Sequence, residues 1–365
     1  MIPFLAEGPG FHAATAEGDT VKDVQIENAL GETVSKEGLP GMIAAVTDAD
    51  GVLAVGSAGV RKAGSDEAFG ADDVVHIGSC TKAMTCAMLA TLVADGTLEW
   101  ETTLIAALPG LTDDIHREYH HVTLWQLLTH RARIPANAND WGAHRKMAIA
   151  ERRLAILKEN LREAAATEPE AYHYSNLGYM TAACMAEQST GQTWEHLMRQ
   201  RLFAPLGMTS AGFGPPGTPG QTDQPWGHDR VPGRWQPEQF DNVKALGPAG
   251  RVHCTIADWS RFLALQLAPS RSRILDCDAL ARLVEPAGEV AGGWEVVARP
   301  WAKGKALYHA GTNTRWWSKV WVAPRLNRAF IVATNSFDDD SGAVCDRINA
   351  RLVSIDRGCQ GDQHA

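Results

Sequence analysis

The stretch Val74-Val75-His76-Ile77-Gly78-Ser79-Cys80-Thr81-Lys82-Ala83-Met84-Thr85 decides the reading of this chain. A helix is expected to follow Ser79 and run to about Asp95, where Gly96 is placed to stop it. Spacing i, i+3 then sets Ser79 and Lys82 on one helix face. A serine hydroxyl is a poor nucleophile until a base takes its proton. A lysine one turn away can be that base once its ammonium is desolvated and its pKa falls. The helix N-terminus also favours negative charge developing nearby. Alone the pair is a weak signal, because Ser-x-x-Lys recurs by chance and Ser79 also suits a plain N-cap.

Upstream, Val21, Val24, Leu30 and Val34 recur at helical spacing and predict an amphipathic helix over 21–36. Residues 42–48 and 52–59, joined by Asp48-Ala49-Asp50-Gly51, read as a β-hairpin. Downstream, 100–205 is mostly helical: Thr123 caps Leu124 onward, and helices are expected near 147–165, 176–188 and 193–202. Thr255 and Asp258 form a capping-box pattern for a helix over 255–267. Strands follow at 306–311, 318–324 and 328–335, then a helix at 341–354. The expected fold class is α/β (α+β): an antiparallel sheet flanked by helices, with an all-helical insertion. Residues 1–100 and 246–365 make the discontinuous sheet domain, and 101–245 the mainly helical one. The Gly/Pro-rich segment 212–237 reads as a lid loop.

Composition narrows the function. The chain has 365 residues, 45% hydrophobic and 21% charged, which is globular. A net charge of −9 makes a nucleic-acid binder a poor reading. The most apolar stretch, near 83–94, is too short to span a bilayer. The first twenty residues show neither a basic start nor a sustained apolar run, so no signal peptide is expected. Seven cysteines, an odd number with no CxxC, fit reduced thiols and a cytoplasmic location.

Further segments raise Ser79 and Lys82 above chance: LVADGTLEWETTL, VTLWQLLTH, YHYSNLGYMTAACMAEQSTG, LFAPLGM, GPAGRVHCTIADWSRF and LYHAG. From about residue 21 to 350 their order and spacing resemble the serine hydrolases of β-lactamase fold. These include class C β-lactamases, D-alanyl-D-alanine carboxypeptidases and family VIII carboxylesterases. The resemblance implies Ser79 as acylated nucleophile, Lys82 as general base and Tyr174 as proton shuttle, its hydroxyl tuned by Lys82. It implies that Asn176 bonds Lys82 and a substrate carbonyl. In His309-Ala310-Gly311, Gly311 lets substrate lie against a strand, and Thr312 N–H joins Ser79 N–H as oxyanion hole. His309, where β-lactamases carry lysine, weakens carboxylate binding.

That favours a carboxylesterase-like hydrolase of an ester substrate. A β-lactamase, D-amino-acid peptidase or other amide hydrolase is the alternative, then an acyltransferase, then a non-catalytic penicillin-binding-like sensor. No cofactor is expected. Two departures from the family pattern bear on substrate. Thr129-His130-Arg131-Ala132-Arg133-Ile134-Pro135 stands where the family usually has T-S-G-L-P, two arginines replacing a tight glycine turn, and Arg315 follows the third motif either as an anion clamp or as a solvated surface arginine. Trp226, Trp235, Trp301, Trp316 and Trp317 are candidates for an aromatic pocket, with Trp316 counted among the substrate-binding residues. His116, Glu118, His120 and His121 form a cluster better explained by thirteen histidines than by a metal.

Overall fold

Alternation along one strand organises the molecule. In Gly41–Asp48, Met42, Ala44 and Val46 point to one side and Ile43 and Ala45 to the other, and all five are buried. A strand buried on both faces needs cover on both. The terminal helices Val24–Glu37 and Ser341–Asp362 cover the first face through Ile26, Leu30, Val344, Ile348 and Leu352. Helix Ile256–Leu267 and the large core cover the second. The computed structural model describes residues 23–165 and 167–362.

In chain order the strands are β1 Gly41–Asp48, β2 Gly51–Gly59, β3 Val75–His76, β4 Gly212–Phe213, β5 Gly227–Val231, β6 Arg234–Glu238, β7 Val252–Cys254, β8 Glu295–Arg299, β9 Gly304–Thr312, β10 Trp317–Ala323 and β11 Arg328–Thr334. The main sheet has six strands in the order β2-β1-β11-β10-β9-β8, every pair antiparallel. Its strands come from both ends of the chain. The predicted hairpin is β1–β2, and the three predicted C-terminal strands are β9 to β11. The edge strand β8 was not expected; it is short and only Val296 of it is buried.

Several local expectations change. Val24 is 66% exposed; Ile26, Ala29 and Leu30 form the buried stripe of the first helix, and Val21 lies outside the described residues. Asp23 caps that helix, accepting from Gln25 N at 2.7 Å and Ile26 N at 3.2 Å. Thr255 caps its helix as expected, but Asp258 turns to Ser210 and Arg261, so the box is half made. Segment 212–237 is no simple loop: it holds β4 and the β5–β6 hairpin, tied down by Trp235 Nε1 donating to Gly38 O and by His228 against Asn335 O. The His116–His121 cluster sits on a single 3-10 turn, Arg117–Tyr119, that His116 caps. No helix among the described residues is long and apolar enough to cross a membrane.

Helix Thr81–Ala94 passes through the middle of the large core, with Thr81 to Leu92 all buried. A helix buried all round must be gripped from several sides. One grip is Arg153, fully buried on helix Ile149–Asn160. Its guanidinium pairs with Glu187 and Glu195 on two other helices and donates to Ala245 O at 3.2 Å and Lys244 O at 3.1 Å. It thus ties the helical layer to the turn Gly247–Gly250 that follows those carbonyls. Burial pushes the Glu187 carboxyl above its ordinary range, with Arg153 opposing. Arg153→Met strands both carboxylates and is expected to destabilise the fold by roughly 3–5 kcal/mol. Urea unfolding measures this, and an unchanged midpoint would contradict the assignment.

Candidate active site

The site lies where helix Thr81–Ala94 begins, against the end of β9. A 3-10 turn, Gly78–Cys80, feeds the helix and carries Ser79 at its centre. Lys82, one turn on, is fully buried. Its Nζ lies 3.1 Å from Ser79 Oγ, 2.8 Å from Asn176 Oδ1 and 2.7 Å from Ala249 O. None of these partners is a carboxylate. Desolvation therefore dominates, and the amine is pushed down to about 7. A neutral amine has two N–H bonds and one lone pair. The two hydrogens match Asn176 and Ala249, which leaves the lone pair for the Ser79 hydroxyl.

Asn176 opens helix Asn176–Thr190, whose N-cap is Ser175. The Ser175 hydroxyl accepts from Gly178 N at 2.8 Å and donates to Pro135 O at 2.6 Å. That fixes the chain at Tyr174-Ser175-Asn176. The Tyr174 ring stands under Lys82 Nζ, 4.7 Å from ring centre to nitrogen. The expectation that Lys82 lowers the tyrosine is overturned: burial pushes Tyr174 up to about 12, with Ser79 opposing. The phenol stays protonated and can donate. His130 stacks behind it with centroids 4.5 Å apart, and its Nδ1 accepts from Ser175 N at 3.0 Å. The sequence marked His130 only as part of the departing stretch 129–135 and gave it no role of its own.

Two glycines let the chain close around Ser79. Gly78 has φ +50, and a Cβ on it would stand 2.3 Å from Thr312 N. A Cβ on Gly311 would stand 2.2 Å from Ile77 O and 2.5 Å from Ser79 N. The backbones of 77–80 and 311–312 are thus in direct contact. This brings the backbone nitrogens of Ser79 and Thr312 close together, the placement an oxyanion hole needs. His309, on the same strand, is neutral: burial pushes it down to about 3, with Lys82 nearby adding to the fall.

A cavity of about 530 Å³ opens in front of Ser79. Ser79, Tyr174, Asn176, Gly311 and Thr312 line it, with Asn137, Trp141, Asn242, Leu246 and Trp317. No lining residue carries a charged side chain. Two sequence expectations fail here. Trp316 is buried edge-on against Phe69, 6.3 Å between centroids, and its neighbour Trp317 faces the cavity instead. Trp317 opens β10, while Trp316 still belongs to the turn held by Asn313, so the two rings leave the chain in different directions. Arg315 is neither clamp nor solvated arginine: it bonds Glu238 at 2.7 Å, pairs with Asp229 at 3.3 Å and lies over Phe240. Arg131 and Arg133 also turn to structural work, binding the carbonyls of Ala287 and Thr167. Arg133 takes φ +60, the conformation a glycine turn would have supplied.

A serine, a buried lysine and a tyrosine at the seam of a sheet and a helical layer define a class, the serine hydrolases of β-lactamase-like fold. The family model described as Beta-lactamase matches residues 26–354, and the chain belongs to that family. It is 27% identical over 328 residues to Penicillin-binding protein 4 of Amycolatopsis lactamdurans, 81% of each chain being covered. The D-amino acid amidase of Ochrobactrum anthropi SV3, solved with L-phenylalanine amide, superposes with TM-score 0.74 at 20% identity, covering 92% of this chain and 98% of that one. A class C beta lactamase from Rhodobacter sphaeroides gives TM-score 0.74 at 17% identity, covering 91% and 99%. At such identities these two structures speak for the fold.

The close approach of 311–312 to Ser79 is testable. Gly311→Ala is expected to slow labelling of Ser79 by a fluorophosphonate about 100-fold or more, the usual effect of losing an oxyanion donor. Intact-mass spectrometry follows the label. An unchanged rate would contradict this geometry.

Proposed function

We propose that this hydrolase cleaves uncharged carboxylic esters through an acyl-enzyme on Ser79. The observation that carries the reading is the buried Lys82, pushed down to about 7 with its partners arranged for a neutral amine. Lys82 takes the Ser79 proton as Oγ attacks the carbonyl carbon. The N–H groups of Ser79 and Thr312 hold the oxyanion. Tyr174, protonated at neutral pH, donates to the leaving alkoxide as the C–O bond breaks, and the Lys82 proton replaces the one it gives up. Water then attacks the acyl carbon and gives its proton to the Tyr174–Lys82 pair, which returns that proton to Ser79 Oγ as the C–Oγ bond breaks and the acid leaves.

Substrate charge follows from the cavity. Its lining offers no cation for a substrate carboxylate and no carboxylate for an ammonium. Arg315 is occupied by Glu238 and Asp229, and His309 is neutral. A β-lactam or a peptide with a free C-terminus would bring a carboxylate that nothing here pairs. Kinship with the D-alanyl-D-alanine-carboxypeptidase/endopeptidase AmpH of Escherichia coli, 30% identical over 148 residues, supports an amide hydrolase as the second reading.

Hydrolysis of p-nitrophenyl butyrate by the wild type, lost in Ser79→Ala, tests the proposal. Below pH 7 Lys82 gains a proton and cannot accept one from Ser79. So kcat/KM should fall about tenfold per unit on the acid side of about 7 and level off above it. Mono-p-nitrophenyl succinate, which carries an acyl-side carboxylate, should show kcat/KM at least about tenfold below the butyrate. Equal rates for the two esters would contradict the neutral-substrate reading.

A further inference from the structure

Behind Ser79 lies a buried polar network that the acyl-transfer steps do not use. Its centre is Asp241, almost fully buried just after the β5–β6 hairpin. Oδ1 lies 3.1 Å from His76 Nε2 and accepts from Asn313 Nδ2 at 3.3 Å and Asn242 N at 2.7 Å. Oδ2 accepts from Arg251 Nε at 2.9 Å. Burial pushes this carboxyl up, but His76 and Arg251 outweigh it and hold it below the ordinary value.

Each of the three side-chain partners belongs to a different wall of the site. His76 Nδ1 accepts the Gly78 N–H at 3.1 Å, which fixes the turn that presents Ser79 N–H. Nδ1 being the acceptor, Nε2 is left 3.1 Å from Asp241 Oδ1, an ion-pair-range contact off the line of a hydrogen bond. Asn313 follows Thr312 directly, and its Oδ1 accepts from Arg315 N at 3.1 Å and Trp316 N at 3.0 Å, fixing the turn that presents Thr312 N–H. Arg251 belongs to the segment whose Ala249 O accepts from Lys82. The adjoining Val252 O also accepts from Ile77 N, at 3.0 Å. A carboxylate buried without pairing would be strongly unfavourable, so these contacts are held as a unit.

We infer that Asp241 is a positioning residue of this hydrolase, its carboxylate setting the relative placement of the two oxyanion N–H groups and of the Lys82 support through His76, Asn313 and Arg251. It touches no substrate atom and carries no proton in the reaction. Its effect is on geometry needed only when the oxyanion forms, so it enters kcat more than KM. The inference rests on the acyl-enzyme reading above.

The test combines Asp241→Asn, His76→Ala and Asn313→Ala, singly and in pairs. Two readouts are taken: the fluorophosphonate labelling rate of Ser79, and kcat and KM for p-nitrophenyl butyrate per labelled site. Normalising to labelled sites removes any unfolded fraction. Asp241→Asn is expected to lower kcat and the labelling rate by about 10- to 100-fold, with KM within about threefold of wild type. Adding His76→Ala or Asn313→Ala to it should cost less than about threefold more, because the arms act through one carboxylate. Where Asp241→Asn fails to fold, the His76→Ala/Asn313→Ala pair is read the same way. Single-variant rates within about twofold of wild type, effects that multiply, or a loss confined to KM would overturn the inference. A wild type that labels but does not respond to these changes sinks this inference alone; a wild type that never labels at Ser79 sinks the acyl-enzyme reading first.

Discussion

Desolvation of one amine is the constraint on which the site depends. Lys82 enters a fully buried place with a serine hydroxyl, an amide oxygen and a backbone carbonyl for company. A nearby carboxylate would have kept it charged and useless as a base. The surroundings instead supply two neutral acceptors and leave the third position to Ser79. Those acceptors come from far along the chain: Asn176 from the first turn of one helix, Ala249 from a turn anchored by Arg153 and Arg251. The helical layer and the sheet are both needed to assemble three ångström-scale contacts around one nitrogen.

The centre of the site was legible because its signals are local. Ser79 and Lys82 share a helix face at i, i+3, so the sequence spacing already says which way these two side chains point. The main sheet was legible for a similar reason: β1 and β11 carry apolar runs, Met42 to Val46 and Ala329 to Ala333. What was not legible depends on partners distant in sequence. Arg315 looks free until the β5–β6 hairpin brings Asp229 and Glu238 to it. Asp241 looks like any loop aspartate until His76, Asn313 and Arg251 meet there. Trp316 and Trp317 differ by one residue, yet the first packs on Phe69 in the core and the second lines the cavity. Val24 fits a helical stripe on paper, yet the sheet beneath is met by Ile26 and Leu30.

The departures from the family pattern converge on charge. Arg131, Arg133 and Arg315 replace small or flexible positions near the site, and all three spend their guanidinium groups on carbonyls or carboxylates of the scaffold. Burial keeps His309 neutral where a lysine would have been cationic. Three arginines close to a cavity therefore leave it without a cation on its walls. The chain belongs to the family; the preference proposed for uncharged substrates rests on where these side chains are anchored.

The central claim is that Lys82 titrates near neutrality, so that the free amine is available as a base in the resting protein. Lysine labelled with 13C at the ε-carbon reports its charge directly, and a difference spectrum against Lys82→Met isolates the signal. The account predicts that this resonance titrates at about 7. A resonance that stays in its charged position up to the ordinary lysine range of about 10.4 would contradict it, and with it the assignment of Lys82 as the base.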